Sequence, residues 1–342
     1  MKNNLNIIKY QKESQNKLNK KFILKNKKDI KILLLLCKIF IIFSFFIIIK
    51  RREWNKGIYL TKINKNYRKN NNFFMDLYET HVFNKIKLKL ETNKCGIMWD
   101  NQREFLNGVI RKFKPKKIVE IGVAKGGGSC IILNAIQDIK NAHLYSIDLS
   151  NDTNIGICVK KVFPEFLCKW TLFQNDIAAK FMEQIGNNID MVFIDSAHFE
   201  PGEILDFLIV LPFLKEGAIV GFHDIGNQIT KSVHRNEWAP YIIFNMIRGK
   251  TYLPSGDKIL KHDIGIKILD KNQNKYVHDY VRALGGQWQY FPKEKHIRLI
   301  KEYFKKYYDD DCFFMLNETV EFNRNFVKNN IKGQIYKYNS ES

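Results

Sequence analysis

The sequence predicts an α/β fold in which helices cover both faces of a doubly wound, mostly parallel sheet. Short, almost continuously apolar runs alternate along the chain with stretches whose apolar residues recur at helical spacing. Strands that are apolar on both faces are typical of parallel sheets buried between two layers of helices. Five of the runs also carry an acidic residue near their carboxyl end, which is the edge of such a sheet where ligands bind.

The predicted strands follow one another with an acid at each tip. The first begins at Lys117 and contains Glu120, and the other four end in Asp148, Asp176, Asp195 and Asp224. The stretches between them, such as 203–214, show the spacing of helices. Any one of these acids could simply cap a helix or lie in a solvated loop, but together they predict a ligand site at one edge.

A glycine-rich turn follows the first strand and opens a helix predicted from Ser129 to Ile139. Gly122, Gly126, Gly127 and Gly128 have no Cβ, so a ligand can lie against their backbone. The helix would present its unpaired N–H groups to that ligand. A nicotinamide dinucleotide is disfavoured, because its fingerprint Gly-x-Gly-x-x-Gly needs a second glycine where Val123 and Ala124 stand.

The region from about residue 96 to residue 270 resembles class I S-adenosylmethionine-dependent methyltransferases. It looks most like the branch grouped with macrocin-type sugar O-methyltransferases and cephalosporin hydroxylase-like proteins. Four motifs carry this resemblance: Val119-Glu-Ile-Gly-Val-Ala-Lys-Gly-Gly-Gly-Ser129, Tyr145-Ser-Ile-Asp148, Phe193-Ile-Asp-Ser-Ala-His198 and Leu214-Lys-Glu-Gly-Ala-Ile-Val-Gly-Phe-His-Asp224. The resemblance implies a Rossmann-like sheet of seven strands, the last two at 250–253 and 264–269, and S-adenosylmethionine as the cofactor.

The same resemblance implies a set of cofactor-binding residues. Asp148 lies 26 residues past Gly122, near the distance at which an acid on the second strand reaches a bound ribose. In the family an acid at the position of Glu120 organises the methionine end, and one placed like Asp176 meets the adenine amino group. The predicted cofactor-binding residues are Glu120, Gly122, Gly126, Gly127, Ser129, Asp148 and Asp176.

A second group of candidates lies at the tips of the fourth and fifth strands, where the resemblance places the acceptor: Asp195, His198, His223 and Asp224. A neutral His198 or His223, together with Asp195, could remove the proton from an acceptor hydroxyl. Alternatively, Asp195 and Asp224 could hold Mg²⁺, which would lower the pKa of the acceptor. Similar sugar O-methyltransferases often carry aspartate where His223 stands, which weighs against the magnesium site. Both histidines could also serve only as structural hydrogen-bonding groups.

The positive charge is concentrated at the amino terminus. Residues 1–90 contain 22 Lys and Arg against 5 Asp and Glu, a net charge of +17 out of +21 for the whole chain. The remaining residues are therefore close to neutral. Because the chain has only 10 Arg and its charge excess lies outside the predicted pocket, we expect no nucleic acid as a partner.

An apolar run over residues 32–49, flanked by Lys and Arg, just reaches the thickness of a bilayer. It predicts a single transmembrane helix; a peripheral helix is the alternative. The predicted organisation is a basic disordered tail (1–31), the transmembrane helix (32–49), a basic linker (50–90), the methyltransferase domain (91–272) and a helical carboxyl-terminal extension (273–342).

The charge on the two sides of the apolar run nearly balances, so it does not set the orientation. Because S-adenosylmethionine is made in the cytosol, we expect a single-pass membrane protein whose catalytic domain faces the cytosol. The six cysteines show no paired spacing, which favours free thiols in a reducing compartment.

Together these features predict methyl transfer from S-adenosylmethionine to a hydroxyl of a sugar, a glycan or another small molecule. The alternatives are an RNA- or protein-directed methyltransferase and a non-catalytic cofactor-binding scaffold at a membrane. The sequence does not indicate the acceptor or the oligomeric state.

Overall fold

Seven strands form one sheet in the order β3-β2-β1-β4-β5-β7-β6. The structure is a computed structural model, and it describes residues 88–95, 98–226, 238–254 and 263–330. The strands are β1 Lys117–Ile121, β2 His143–Asp148, β3 Trp170–Gln174, β4 Ile189–Ile194, β5 Leu214–His223, β6 Gly249–Tyr252 and β7 Ile264–Leu269. The first five run parallel, and β7 runs antiparallel to both of its neighbours. The predicted mostly parallel sheet of seven strands is thus confirmed.

Helices connect the strands and cover both faces of the sheet. They are α1 Asp100–Phe113, α2 Gly127–Ile136, α3 Ile157–Val162, α4 Met182–Ile185, α5 Gly202–Val210, α6 Ala239–Met246, α7 Val277–Arg282, α8 Glu294–Tyr307 and α9 Asp310–Asn330. Short 3₁₀ turns lie at Pro164–Lys169, Ala178–Lys180, Leu211–Phe213, Gln273–Tyr276 and Ala283–Gly285. One apolar core lies on each side of the sheet.

The central strands explain why the sequence is so uniformly apolar there. In β1, Ile118 and Val119 are fully buried, and they face opposite cores. Glu120 is the fully buried polar residue of this strand, whereas Lys117 at its start is only half-buried. A charged residue is rarely kept in such a position without a specific set of partners, so Glu120 points to a functional site.

The strand order reverses at β1, which makes a crevice at the carboxyl edge of the sheet. Ile121, the last residue of β1, pairs with Ile147 of β2 on one side and with Ile194 of β4 on the other. The connections after β1 and β4 leave on opposite faces of the sheet. In open α/β sheets, ligands bind at this point.

The carboxyl-terminal helices belong to the same core as the sheet. Tyr280, Trp288 and Phe304 are fully buried in the core on one face. The hydroxyl of Tyr303 donates a hydrogen bond to the carbonyl of Ile209, which fastens α8 to α5. Residues 277–330 therefore pack as a structural layer.

The prediction of a membrane-spanning protein needs correction. Within the described residues, no helix combines the length and the apolar character that crossing a bilayer requires. The longest described helix, α9, has 21 residues but is interrupted by charged and amide side chains. This finding contradicts the predicted single-pass membrane localisation, and a membrane partner is not supported. The predicted transmembrane helix itself, residues 32–49, lies outside the described residues.

Candidate active site at the carboxyl edge of the sheet

A cavity of about 360 Å³ opens at the carboxyl ends of the central strands. Its walls come from the segment that leads into α1, the glycine turn with the first turn of α2, and the residues that follow β4 and β5. Its volume falls in the range of small-molecule sites. We call this space the edge cavity.

The glycine turn shapes one wall of the edge cavity. Gly122 has a φ of 89°, and a Cβ there would lie 1.9 Å from the carbonyl oxygen of Asp195, so the backbones after β1 and β4 touch directly. The first turn of α2, at Gly127 and Gly128, lines the cavity with bare backbone. The predicted access of a ligand to this turn has a structural basis.

Glu120 lies beneath the turn and is held by hydroxyl groups. Its Oε2 accepts hydrogen bonds from Ser129 and Ser146, each at 2.6 Å. The indole of Trp170 donates to the hydroxyl of Ser146 at 2.8 Å. Burial raises the pKa of Glu120 to about 7, although the two serine hydrogen bonds oppose this shift. The side chain of Ser129 is fully buried and its hydroxyl positions Glu120, while direct contact of Ser129 with the cofactor stays a prediction.

Asp148 holds the glycine turn from the other side. Its Oδ2 accepts the backbone N–H groups of Val123 at 2.9 Å and Ala124 at 3.0 Å. Its Oδ1 accepts the N–H of Ser150 at 2.8 Å. The carboxylate therefore fixes the turn that borders the cavity, and contact with a ribose stays a prediction.

Four of the seven predicted cofactor residues are not among those that line the edge cavity: Gly126, Ser129, Asp148 and Asp176. Asp176 faces α8, where its Oδ1 lies 3.4 Å from Nε2 of His296. Gly126 has a φ of 90°, and a Cβ there would lie 3.0 Å from the Cα of Gly156. Gly126 therefore shapes the turn, and nothing in the structure places Asp176 beside the other candidates.

The four candidates at the carboxyl ends of β4 and β5 come together beside the glycine turn and line the same cavity. Nδ1 of His223 lies 3.3 Å from Asp195 and 3.4 Å from Asp224. Nε2 of His198 lies 3.2 Å from Asp224 and 3.9 Å from Asp195. We call this group the acid–imidazole cluster: Asp195, His198, His223 and Asp224. The structure thus brings the four candidates to one side of the cavity.

Two further residues orient the histidines. Glu203, which is fully buried on α5, accepts the backbone N–H of His198 at 2.6 Å and lies 3.1 Å from its Nδ1. Nε2 of His223 lies 3.2 Å from the amide oxygen of Gln102 on α1. Glu203 therefore favours the tautomer of His198 that carries its proton on Nδ1 and leaves Nε2 free to accept one.

The carboxylates set the proton affinity of both imidazoles. Burial alone would lower the pKa of His198, but its hydrogen bond to Glu203 and the charges of Glu203, Asp224 and Asp195 raise it to about 9. Burial also opposes the charged form of His223, but Asp195 and Asp224 raise its pKa well above the usual value. The cluster can therefore hold and release protons at an acceptor.

The cluster also offers ligands for a divalent cation. One atom each of Asp195, His198 and Asp224 lie within 4.8 Å of one another. A set of two carboxylates and one imidazole suits Mn²⁺ or Zn²⁺ better than Mg²⁺, which prefers oxygen ligands alone. The predicted magnesium ion is thus not favoured by the donor set.

The cysteines correct the prediction of free thiols throughout. Cys95 and Cys158 form a disulfide that joins the segment before α1 to α3, whereas Cys130, Cys168 and Cys312 are free. The backbone N–H of Cys158 donates to the carbonyl of Lys125 in the glycine turn. Cys95 and Cys158 are 63 residues apart in the sequence, so rules based on local cysteine spacing do not predict their pairing. The disulfide therefore removes the support that the cysteines gave to the prediction of a reducing compartment.

We expect the double substitution Cys95→Ser and Cys158→Ser to lower the free energy of unfolding by about 2–4 kcal/mol, because the unfolded chain loses a long cross-linked loop. Urea unfolding of the oxidised proteins measures the difference. The matched control is Cys168→Ser, an exposed free thiol whose loss should change little. Equal stability of the double variant and the oxidised wild type would contradict the disulfide.

Buried acids make a second prediction, about pH and stability. Burial raises the pKa of Asp206 from 3.8 to about 7, and burial raises that of Glu200 to about 7 as well. Since the folded state holds these protons more tightly than the unfolded chain, folding is favoured at low pH. This advantage is lost as the pH rises from about 4 to 7. Asp206→Asn should reduce the fall in the free energy of unfolding across this pH window by about 1–3 kcal/mol. The free energy is measured by urea unfolding at several pH values, and the same dependence on pH in the wild type and the variant would refute the prediction.

Comparisons with known proteins bear on this site. Residues 119–225 match the model of a family described as "Methyltransferase domain". The matched segment runs from β1 through the glycine turn to the residue after Asp224, and so contains both sets of candidates. The resemblance to methyltransferases is confirmed for this segment. No curated protein matches the sequence.

Several solved structures are similar to part of the chain. The O-methyltransferase TomG from Streptomyces achromogenes, in complex with SAM, is 14% identical; the match covers 61% of this chain and 100% of that one, with a TM-score of 0.43. An O-methyltransferase from Bacillus cereus in complex with SAH is 12% identical, with coverages of 60% and 99% and a TM-score of 0.43. The SAH-bound methyltransferase PaMTH1 from Podospora anserina is 14% identical, with coverages of 63% and 100% and a TM-score of 0.42. These values are too low to indicate a substrate.

Proposed function

We propose that this chain, whose residues 119–225 form a methyltransferase domain, transfers the methyl group of S-adenosylmethionine to a hydroxyl of a small molecule. The observation that carries the proposal is the edge cavity itself. Both the glycine turn and a cluster that can accept a proton line it. A sugar is the acceptor class that the motif resemblance favours.

The residues of the edge cavity suit S-adenosylmethionine chemically. The ligand carries a sulfonium and an ammonium, and the cavity offers the carboxylates of Glu120, Asp195 and Asp224. The bare backbone of Gly127 and Gly128 leaves room for the close approach of a ligand. A Cβ at Gly128 would also crowd Glu120, since it would lie 2.9 Å from Oε1. The carboxylates and the open backbone of the turn thus fit the cationic groups and the size of the cofactor.

The chain's own residues then have separable tasks. Asp148 fixes the turn, and Glu203 orients His198 so that Nε2 faces Asp224 and the cavity. Nε2 takes the proton from the acceptor hydroxyl, whose oxygen becomes the nucleophile. S-adenosylmethionine, when bound, would supply the electrophilic methyl group that this oxygen attacks, with a neutral thioether as the leaving group. The carboxylates beside His198 stabilise the imidazolium that forms.

The test is transfer of tritiated methyl groups from S-adenosylmethionine to a small-molecule extract, with the extract separated by chromatography. We expect one or a few labelled small molecules. Label that enters only RNA or protein would overturn the small-molecule proposal, and binding of the cofactor without any labelled product would favour a non-catalytic scaffold. Loss of transfer in a chelator, with recovery on adding Mn²⁺ or Zn²⁺, would assign the cation to the acid–imidazole cluster.

A further inference from the structure

One buried cation in the edge cavity has an N–H group without a hydrogen-bond acceptor. Arg103, on α1, lines the cavity, and only 7% of its surface is exposed. Its Nη1 is buried without a hydrogen-bond partner. The nearest acid, Asp100, lies 3.6 Å from Nη1, which is an ion-pair contact longer than a hydrogen bond. A buried guanidinium N–H without an acceptor costs free energy, so a ligand group that accepts from Nη1 would be bound favourably here.

The more buried charges around the cavity are segregated in a way that indicates which ligand group belongs there. The carboxylates of Glu120, Asp195 and Asp224 lie at the strand tips, whereas Arg103 comes from α1. Lys94 and Lys125, which also line the cavity, are exposed, and Asp263 is half-buried. An anion placed among the carboxylates would be repelled. An anion beside Arg103 would meet planar N–H donors that match a carboxylate.

The helix that carries Arg103 is fixed in place by the residue before it. The amide oxygen of Gln102 accepts the N–H of Trp99 at 2.8 Å and also lies 3.2 Å from Nε2 of His223. The first turn of α1 is therefore fastened to the acid–imidazole cluster. Arg103 is thus held at the cavity in a fixed position and need not be recruited from solvent.

We propose that Arg103 binds a carboxylate of the ligand in the edge cavity. This inference rests on the proposed function, because the two sources of that carboxylate are the amino-acid end of the cofactor and an acidic acceptor. The cofactor source fits the segregated charges, since its amino-acid end carries a carboxylate beside an ammonium. Arg103 would then be a cofactor-binding residue in addition to those predicted from the motifs.

The test compares two ligands by calorimetry: S-adenosylhomocysteine and its analogue that lacks only the carboxyl group. Arg103→Met should raise the Kd of S-adenosylhomocysteine by about 10- to 100-fold, because the charge-assisted hydrogen bonds are lost. The analogue should bind the wild type and the variant equally well, which also shows that the variant is folded. The matched control is Arg111→Met on the same helix, whose Nε donates to Asn107 instead and which lies outside this cavity; it should leave both affinities unchanged.

A second arm separates the two sources. Malonate, a small dicarboxylate, is titrated into protein saturated with S-adenosylhomocysteine. Binding of malonate that Arg103→Met abolishes, with unchanged affinity for S-adenosylhomocysteine, would assign Arg103 to the acceptor. If Arg103→Met alters neither affinity, the inference is wrong while the proposed function stands; if the wild type binds no S-adenosylhomocysteine at all, the proposed function itself fails.

Discussion

Replacing His198 by glutamine is expected to lower kcat for methyl transfer by about 10²–10⁴-fold, the usual contribution of a general base. Glutamine keeps a polar side chain of similar reach but cannot accept the acceptor's proton near neutral pH. Because the contacts of the His198 side chain are with Asp224, Asp195 and Glu203 and not with the glycine turn, cofactor affinity should change little. The measurement is kcat with labelled S-adenosylmethionine, together with the Kd of S-adenosylhomocysteine by calorimetry.

His278→Gln is the matched control for His198. His278 also pairs with an aspartate, Asp309, at 2.8 Å, but it lies at the exposed junction of α7 and α9. Its replacement should leave kcat unchanged. A His198→Gln enzyme that retains more than about a tenth of the wild-type kcat would exclude His198 as the base.

The same role of His198 has a pH signature. A base must be neutral, and the pKa of His198 is raised to about 9 by Glu203 and the two aspartates. We therefore expect kcat to rise between pH 7 and pH 9 as the imidazole loses its proton. Glu203→Gln removes one of the charges that hold the proton, so it should move the rise to lower pH. A profile that is flat over this range in both enzymes would contradict the assignment.

Replacing Asp148 by alanine is expected to raise the Kd of S-adenosylhomocysteine by about 10²–10³-fold. The carboxylate accepts three backbone N–H groups, two of them in the glycine turn, and each such charge-assisted hydrogen bond contributes about 1.5–3 kcal/mol. Without it, the turn loses the shape that admits the cofactor, and any contact with the ribose hydroxyls is lost as well. Calorimetric titration gives the change in Kd.

Two variants control for indirect effects of the Asp148 substitution. Asp138→Ala removes an exposed acid beyond the far end of α2 and should leave the Kd unchanged. Asp148→Asn keeps one acceptor oxygen for the turn, so its loss of affinity should be intermediate. Full affinity in Asp148→Ala would show that the turn does not depend on this carboxylate.

The apolar strands and their acidic tips made the sheet and the position of its ligand edge predictable from sequence. In a parallel sheet all carboxyl ends share one edge, so residues as distant as Glu120, Asp195 and Asp224 had to converge there. The glycine turn was predictable for a different reason. Gly122 and Gly126 adopt φ values near 90°, which residues other than glycine rarely take. These inferences needed only local patterns and the rules of parallel sheets.

Features that depend on long-range packing were not predictable. The disulfide joins cysteines 63 residues apart, and the contact of Gln102 with His223 spans 121 residues. That Nη1 of Arg103 lacks a hydrogen-bond acceptor depends on the packing of a whole helix against the cavity. Glu203 was missed although it lies only five residues after His198, because its role appears only when α5 turns its first residues towards β4. The motifs also did not indicate that Ser129 donates to Glu120 or that Asp176 lies beside His296, and the cofactor contacts of both residues stay predictions.

The most direct test of the account is a crystal structure of the protein with S-adenosylhomocysteine. We predict that the ligand occupies the edge cavity with its thioether between the turn at Gly127 and Gly128 and the imidazole of His198. A ligand bound elsewhere, or an edge cavity in which side chains close over the glycine turn, would contradict the claim that this cavity is the methyl-transfer site.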